Sequence, residues 1–110
     1  MTVAADIQEV VIAAYPFFAS DERARAIRDS YQRVAVGMSP EEVASILGAP
    51  DEIRALHEPK IKNAKVIGYT HWYLIRRMVA SGSQNDMEES LVRISYGLDD
   101  HVMRVDAWGF

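Results

Sequence analysis

Residues 31–50, YQRVAVGMSPEEVASILGAP, constrain the fold of this chain more than any other stretch, because they pair a helix exit at Gly37 with a sharply capped second helix. Ser39 is placed to accept from the backbone N–H three residues on, and Glu42 to reach back to the cap. Pro40 sits where its missing N–H costs nothing. Gly48 supplies a residue tolerant of positive φ just past the helix, and Pro50 prevents continuation. Punctuation of this kind belongs to a scaffold and names no bound molecule.

At 110 residues the chain suits one domain spanning 1–110, which buries about two-thirds of the surface its unfolded form exposes, so a single core is feasible without covalent staples. The absence of cysteine excludes disulfides, thiolate metal sites, thiol catalysis and a lipid-bearing cysteine. The opening MTVAADIQEVVIAAY has no basic start, and Asp6 and Glu9 interrupt its apolar character. Neither a signal peptide nor a transmembrane span is expected, which points to a cytoplasmic location. A net charge of −4 offers no long-range attraction to phosphate polymers or anionic lipid, so neither nucleic acid nor membrane is an expected partner.

Ile7, Val10, Val11, Ala14 and Phe18 recur at three- and four-residue steps, which predicts a first helix within 1–19 that Pro16 bends or ends. Ser20, followed by Asp21 and Glu22, opens a second helix that runs to about Val34 and buries Ala24, Ile27, Tyr31 and Val34. The capped third helix covers 40–47 and turns Val43, Ile46 and Leu47 inward; at about two turns it needs a surface to lie on.

The second half supplies that surface. Residues 66–79, VIGYTHWYLIRRMV, are rich in aromatic and β-branched types and predict a long strand. A loop at 81–90 follows, then two alternating segments, 91–97 and 102–108, joined by a turn at Asp99-Asp100. Val92, Ile94 and Tyr96 share one side of the first segment, opposite Leu91, Arg93 and Ser95. In the second, Met103, Val105 and Ala107 oppose Val102, Arg104, Asp106 and Trp108. The expected fold class is α+β, with two to three N-terminal helices packed on one face of a three-stranded antiparallel sheet whose other face meets water.

Both parities of 66–79 are amphipathic, so a bulge that switches sides is one solution. If Tyr69, Tyr73 and Ile75 join the core, then Trp72, Leu74, Arg76, Arg93, Arg104 and Trp108 collect on the open face. Tryptophan among arginine suits a protein contact surface, with Trp72, Arg76, Arg93, Arg104 and Trp108 as candidate partner-binding residues. The competing reading has the two indoles packing on arginine stems to cover the sheet.

The helix followed by GMS-x-EEV-x-x-x-LG-x-P and three antiparallel strands resembles the SmpA/OmlA (BamE-like) domain, the fold that appears twice in beta-lactamase inhibitor protein. The matching residues are Val34, Gly37, Met38, Ser39, Glu42, Val43, Leu47, Gly48 and Pro50. The resemblance covers roughly 21–110 and leaves 1–19 as an extra piece. It implies adaptor or inhibitor work done through surfaces, with no catalytic residues to transfer. Lipoprotein members of that family carry an export signal and an acylated cysteine, and this chain has no cysteine.

Reactive constellations are missing from the pattern. His57, His71 and His101 lack metal-ligand spacing, and Ser95 lacks a nucleophile's strained turn. Asp86, Glu88 and Glu89 do not follow a calcium loop, the glycines form no phosphate-binding run, and Lys60, Lys62 and Lys65 read as a solvated connection. No catalytic residue, metal or cofactor is expected. The leading expectation is a small non-enzymatic protein-binding module, of inhibitor or immunity type, acting through the open sheet face and the 81–90 loop. Two alternatives stand beside it: a small-molecule pocket lined by Tyr69, Trp72, Tyr73, Tyr96 and Trp108, and a homo-oligomeric element pairing through its first helix or an edge strand.

Overall fold

A computed structural model describes residues 7–59, 62–78 and 89–110. In chain order its elements are β1 (Phe17–Phe18), α1 (Asp21–Ser30), a 3-10 turn (Tyr31–Arg33), α2 (Pro40–Leu47), β2 (Glu52–His57), β3 (Val66–Arg77), β4 (Glu89–Gly97) and β5 (Val102–Trp108). All strand pairs are antiparallel. The fold is α+β with two helices and an open sheet of five strands, two more than the alternation predicted.

Long β3 organises the sheet. One of its edges pairs with β4, which pairs with β5. The other edge carries β2 and then β1 in tandem, and the Asp51 carboxylate bridges the gap between them by accepting from the Leu74 N–H at 2.8 Å. The same carboxylate is paired with Arg23 of α1 at 3.1 Å, which ties helix to sheet.

Local chemistry sets the helices where the sequence placed them. Ser20 caps α1 by accepting from Arg23 N–H, and α2 has the complete reciprocal box between Ser39 and Glu42. Gly48 ends α2 at a φ of 80°, and its carbonyl accepts from the Tyr73 hydroxyl at 3.1 Å, fastening the helix end to β3. Gly37 does not end a helix: α1 has already passed through the 3-10 turn by Arg33, and Gly37 N–H instead donates to Val102 O, holding this loop against β5. Beneath the helices lie Ala24, Ile27, Val34, Val43 and Leu47, packed on Tyr73, Ile75, Val92, Ile94, Tyr96 and Val102.

The helix expected within 1–19 is absent among its described residues, 7–19. Val10 pairs with Ile53 through two hydrogen bonds of 2.9 Å, and Ala55 N–H donates to the Glu9 carboxylate, so the segment lies extended along β2. The β-branched run Val10-Val11-Ile12 favours that conformation, and pairing with β2 outweighs the helical spacing of its neighbours. Residues 1–6 of that expected helix lie outside the described residues, as do 81–88 of the expected loop. Its last two members, Glu89 and Ser90, belong to β4.

Two bulges move side chains to the face opposite the one alternation assigned. A register shift between Leu74 and Arg76 puts Arg76 beside Ser90 on the helix side, so it is not part of the open face, and Arg77 takes the place expected for it. A second shift, at Met103, returns Val102 to the core, although alternation had set it with Arg104 and Trp108. Among the described residues no helix is long and apolar enough to cross a membrane.

Candidate functional site

The sheet face turned away from the helices is built of rows that cross the strands. Cα pairing aligns Arg54, Thr70, Ser95 and Arg104 in one row, and Glu52, Trp72, Arg93 and Asp106 in the next. Leu74, Leu91 and Trp108 form a third, and Arg77 with Glu89 a fourth. Directly opposed side chains on one face are close enough to interact, so the register dictates which charges meet.

Glu52 has no exposed surface, yet it carries a carboxylate. Its Oε1 accepts from Arg54 Nε and Nη2 at 3.2 Å and from Arg77 Nη1 at 3.0 Å, while Oε2 accepts from Ile12 N–H at 2.9 Å. Arg77 Nε donates to Glu89 Oε2 at 2.7 Å, and Glu89 Oε1 accepts from Trp108 Nε1 at 3.1 Å. Burial works against the Arg77 charge, but the hydrogen bond to Glu89 and the nearby Glu52 carboxylate outweigh it and hold its pKa above the usual arginine value. On the far strand Asp106 joins Arg93 at 3.1 Å to Arg104 at 2.9 Å.

The indoles sit inside this lattice. Trp72 and Trp108 meet edge to face with centroids 6.4 Å apart. Arg93 lies over both rings at 5.3 and 5.4 Å, and Arg77 and Arg54 lie over Trp72 at 5.3 and 5.7 Å. Trp72 Nε1 donates to Thr70 Oγ1 at 2.7 Å. Four of the five expected contact residues, Trp72, Arg93, Arg104 and Trp108, therefore come together, and Arg76 does not. Glu52, Arg54, Arg77, Glu89 and Asp106 complete the assembly and were not singled out from sequence. The signal for Glu52 and Arg54 lay in the alternation of EIRALH, where Ile53 and Ala55 take the other side.

The aromatic pocket expected from sequence does not form. Tyr69, Tyr73 and Tyr96 face the helices, whereas Trp72 and Trp108 face the opposite way, so the sheet separates the two groups. A cleft of about 370 Å³ on the helix side is lined by Phe18, Ile75, Arg76 and Ser90 among others, and by none of these five aromatics.

On that helix side Tyr69 stacks on Tyr96 at 4.9 Å, and His71 meets the Tyr96 edge at 4.8 Å. Burial pushes the Tyr69 phenol upward, and its 2.7 Å hydrogen bond to Asp100 acts in the same direction. Burial pushes His71 down to about 4. Its folded pKa lies below the ordinary histidine value of about 6.5, so the stability this neutral ring contributes is complete above about pH 6.5 and is lost as pH falls toward about 4. The fall in urea midpoint between about pH 7.5 and about pH 4.5 is expected to be smaller in His71→Phe than in the natural chain. Equal falls would mean that the ring is solvated.

The other histidines stand apart: His57 ends β2, and His101 lies in the β4–β5 hairpin 3.4 Å from Asp99. Among the described residues no group of three or more His, Cys, Asp or Glu could hold a metal ion. No protein-family model matches the chain, and neither a curated protein nor a solved structure matches it.

Proposed function

We propose that this chain is a small non-enzymatic protein-binding module, of inhibitor or immunity type, that receives its partner on the sheet face bearing Trp72, Arg93, Arg104 and Trp108. The observation that carries the reading is the fixed lattice of indoles and guanidiniums on the sheet face turned away from the described helices, where Leu74 and Leu91 are buried beneath and Arg93 and Arg104 keep exposed surface. Side chains held in one geometry before contact lose little entropy on binding, and Trp and Arg dominate interface energetics. The order of two helices followed by antiparallel strands from Asp21 onward supports the same reading through the adaptor and inhibitor work that the SmpA/OmlA resemblance implies.

The test is recovery of a stoichiometric partner from the native cell extract by the full chain, repeated with Arg104→Glu. Arg104 has 71% of its side chain exposed, so charge reversal there leaves the core intact. Partner affinity is expected to fall at least about tenfold at unchanged Tm. Undiminished capture by the variant would refute docking on this face. Self-association along β5 is a second reading, favoured by one observation: beyond Val102, nothing among the described residues pairs with its outer edge. Arg104 and Asp106 on that strand are charges of the kind that discourage edge pairing, which ranks it below the first.

A further inference from the structure

We infer that the partner presents an acidic protein segment to this face, seated on the exposed guanidiniums of Arg54 and Arg104 at the two ends of their row; the inference rests on the docking face proposed above. Burial separates the two signs of charge. Arg54, Arg93 and Arg104 have 35%, 31% and 71% of their side chains exposed, whereas Glu52, Glu89 and Asp106 have 0%, 5% and 18%. Among the described residues of these rows, four guanidiniums, counting buried Arg77, stand against three carboxylates. The carboxylates lie beneath and the cations above, and a partner meets the cations first.

The donor count agrees. Among the described residues Arg54 uses Nε and Nη2 on Glu52, and Arg104 uses Nε on Asp106, so each fork has further donors that a second carboxylate can take. Three strand-to-strand steps separate these residues, a span of about 14 Å, with the buried Thr70 and Ser95 side chains beneath it. An acidic strand or loop laid across β2 to β5 meets both guanidinium ends.

Single-stranded nucleic acid, the other polyanion that favours arginine with tryptophan, fits less well. It needs bare indole faces for its bases to stack on, and here three guanidiniums lie over Trp72 and one over Trp108.

Both tryptophans of the chain lie on this face, so intrinsic fluorescence reports its occupancy directly. Titration of the full chain with a short oligoglutamate is expected to give a saturable emission change that weakens as salt rises, and oligolysine to give none. Arg104→Gln alone is expected to weaken oligoglutamate binding severalfold while Tm holds, and adding Arg54→Gln, which also takes two hydrogen bonds from buried Glu52 and so lowers Tm, to bring the loss to about tenfold. The acidic assignment is overturned by no saturable response to oligoglutamate, by affinity unchanged in the double variant, or by tighter binding of a short oligothymidylate. A partner that is lost with Arg104→Glu yet not displaced by oligoglutamate would overturn the acidic chemistry alone. A partner indifferent to Arg104→Glu would overturn the docking face itself.

Discussion

Replacing Glu52 with alanine is expected to remove about 3–5 kcal/mol of folding stability, read as a lower urea midpoint at unchanged slope. The side chain is fully buried and satisfies three partners at once: Arg54, Arg77 and the Ile12 N–H. Its loss leaves Arg77 enclosed with Glu89 as its sole remaining carboxylate partner among the described residues, and leaves a backbone donor on the N-terminal segment unanswered. Glu52→Gln keeps an acceptor and gives up the charge, so an intermediate loss is expected. If alanine costs less than about 1 kcal/mol, the network is not what holds the N-terminal segment and Arg77 to the sheet.

Gly68→Ala is expected to cost about 3 kcal/mol and to lower Tm by more than about 10 °C. Gly68 pairs with Gly97 across β3 and β4, and an added Cβ would collide with the Tyr96 carbonyl oxygen and press on Gly97 Cα at 3.3 Å. All those atoms are backbone, so β3 and β4 must part at the Gly97 end of their ladder. Gly37→Ala is the contrasting case, because its φ of 95° is strained for alanine but no atom lies within 4 Å of the added methyl; about 1 kcal/mol is expected there. Equal effects at both positions would mean that close strand approach is unimportant.

The parts legible in the sequence were those governed by neighbours in the chain. Ser39, Glu42 and Gly48 announce α2 because caps act over three or four residues, and 102–108 matches β5 because alternation is local. What escaped depends on pairing between distant segments. Val10 becomes extended because Ile53 lies beside it, a fact absent from the spacing of Ile7, Val10 and Val11. β2 was passed over because Glu52 and Arg54 look like solvent residues until Arg77 and Trp72 stand next to them.

The candidate site divides along the same line. Trp72, Arg93, Arg104 and Trp108 share a face by simple parity. Arg76 and Arg77 exchange roles because a bulge at Ile75 shifts the register, and two adjacent arginines give no local sign of which one turns inward. The carboxylates were legible only as acidic residues in need of partners, and the cross-strand rows supply those partners.

The tandem seating of β2 and β1 on one edge of β3 has a consequence for biosynthesis. The ribosome releases residues 7–57 before β3, although Val10 and Ile12 gain their partners from residues some 40 positions later and Phe17 from Arg77. Gly37 and Met38 wait longer still, for Val102. The early half of the nascent chain leaves the exit tunnel with its apolar stripes unanswered, which rewards a chaperone that shelters those stripes until the hub strand arrives.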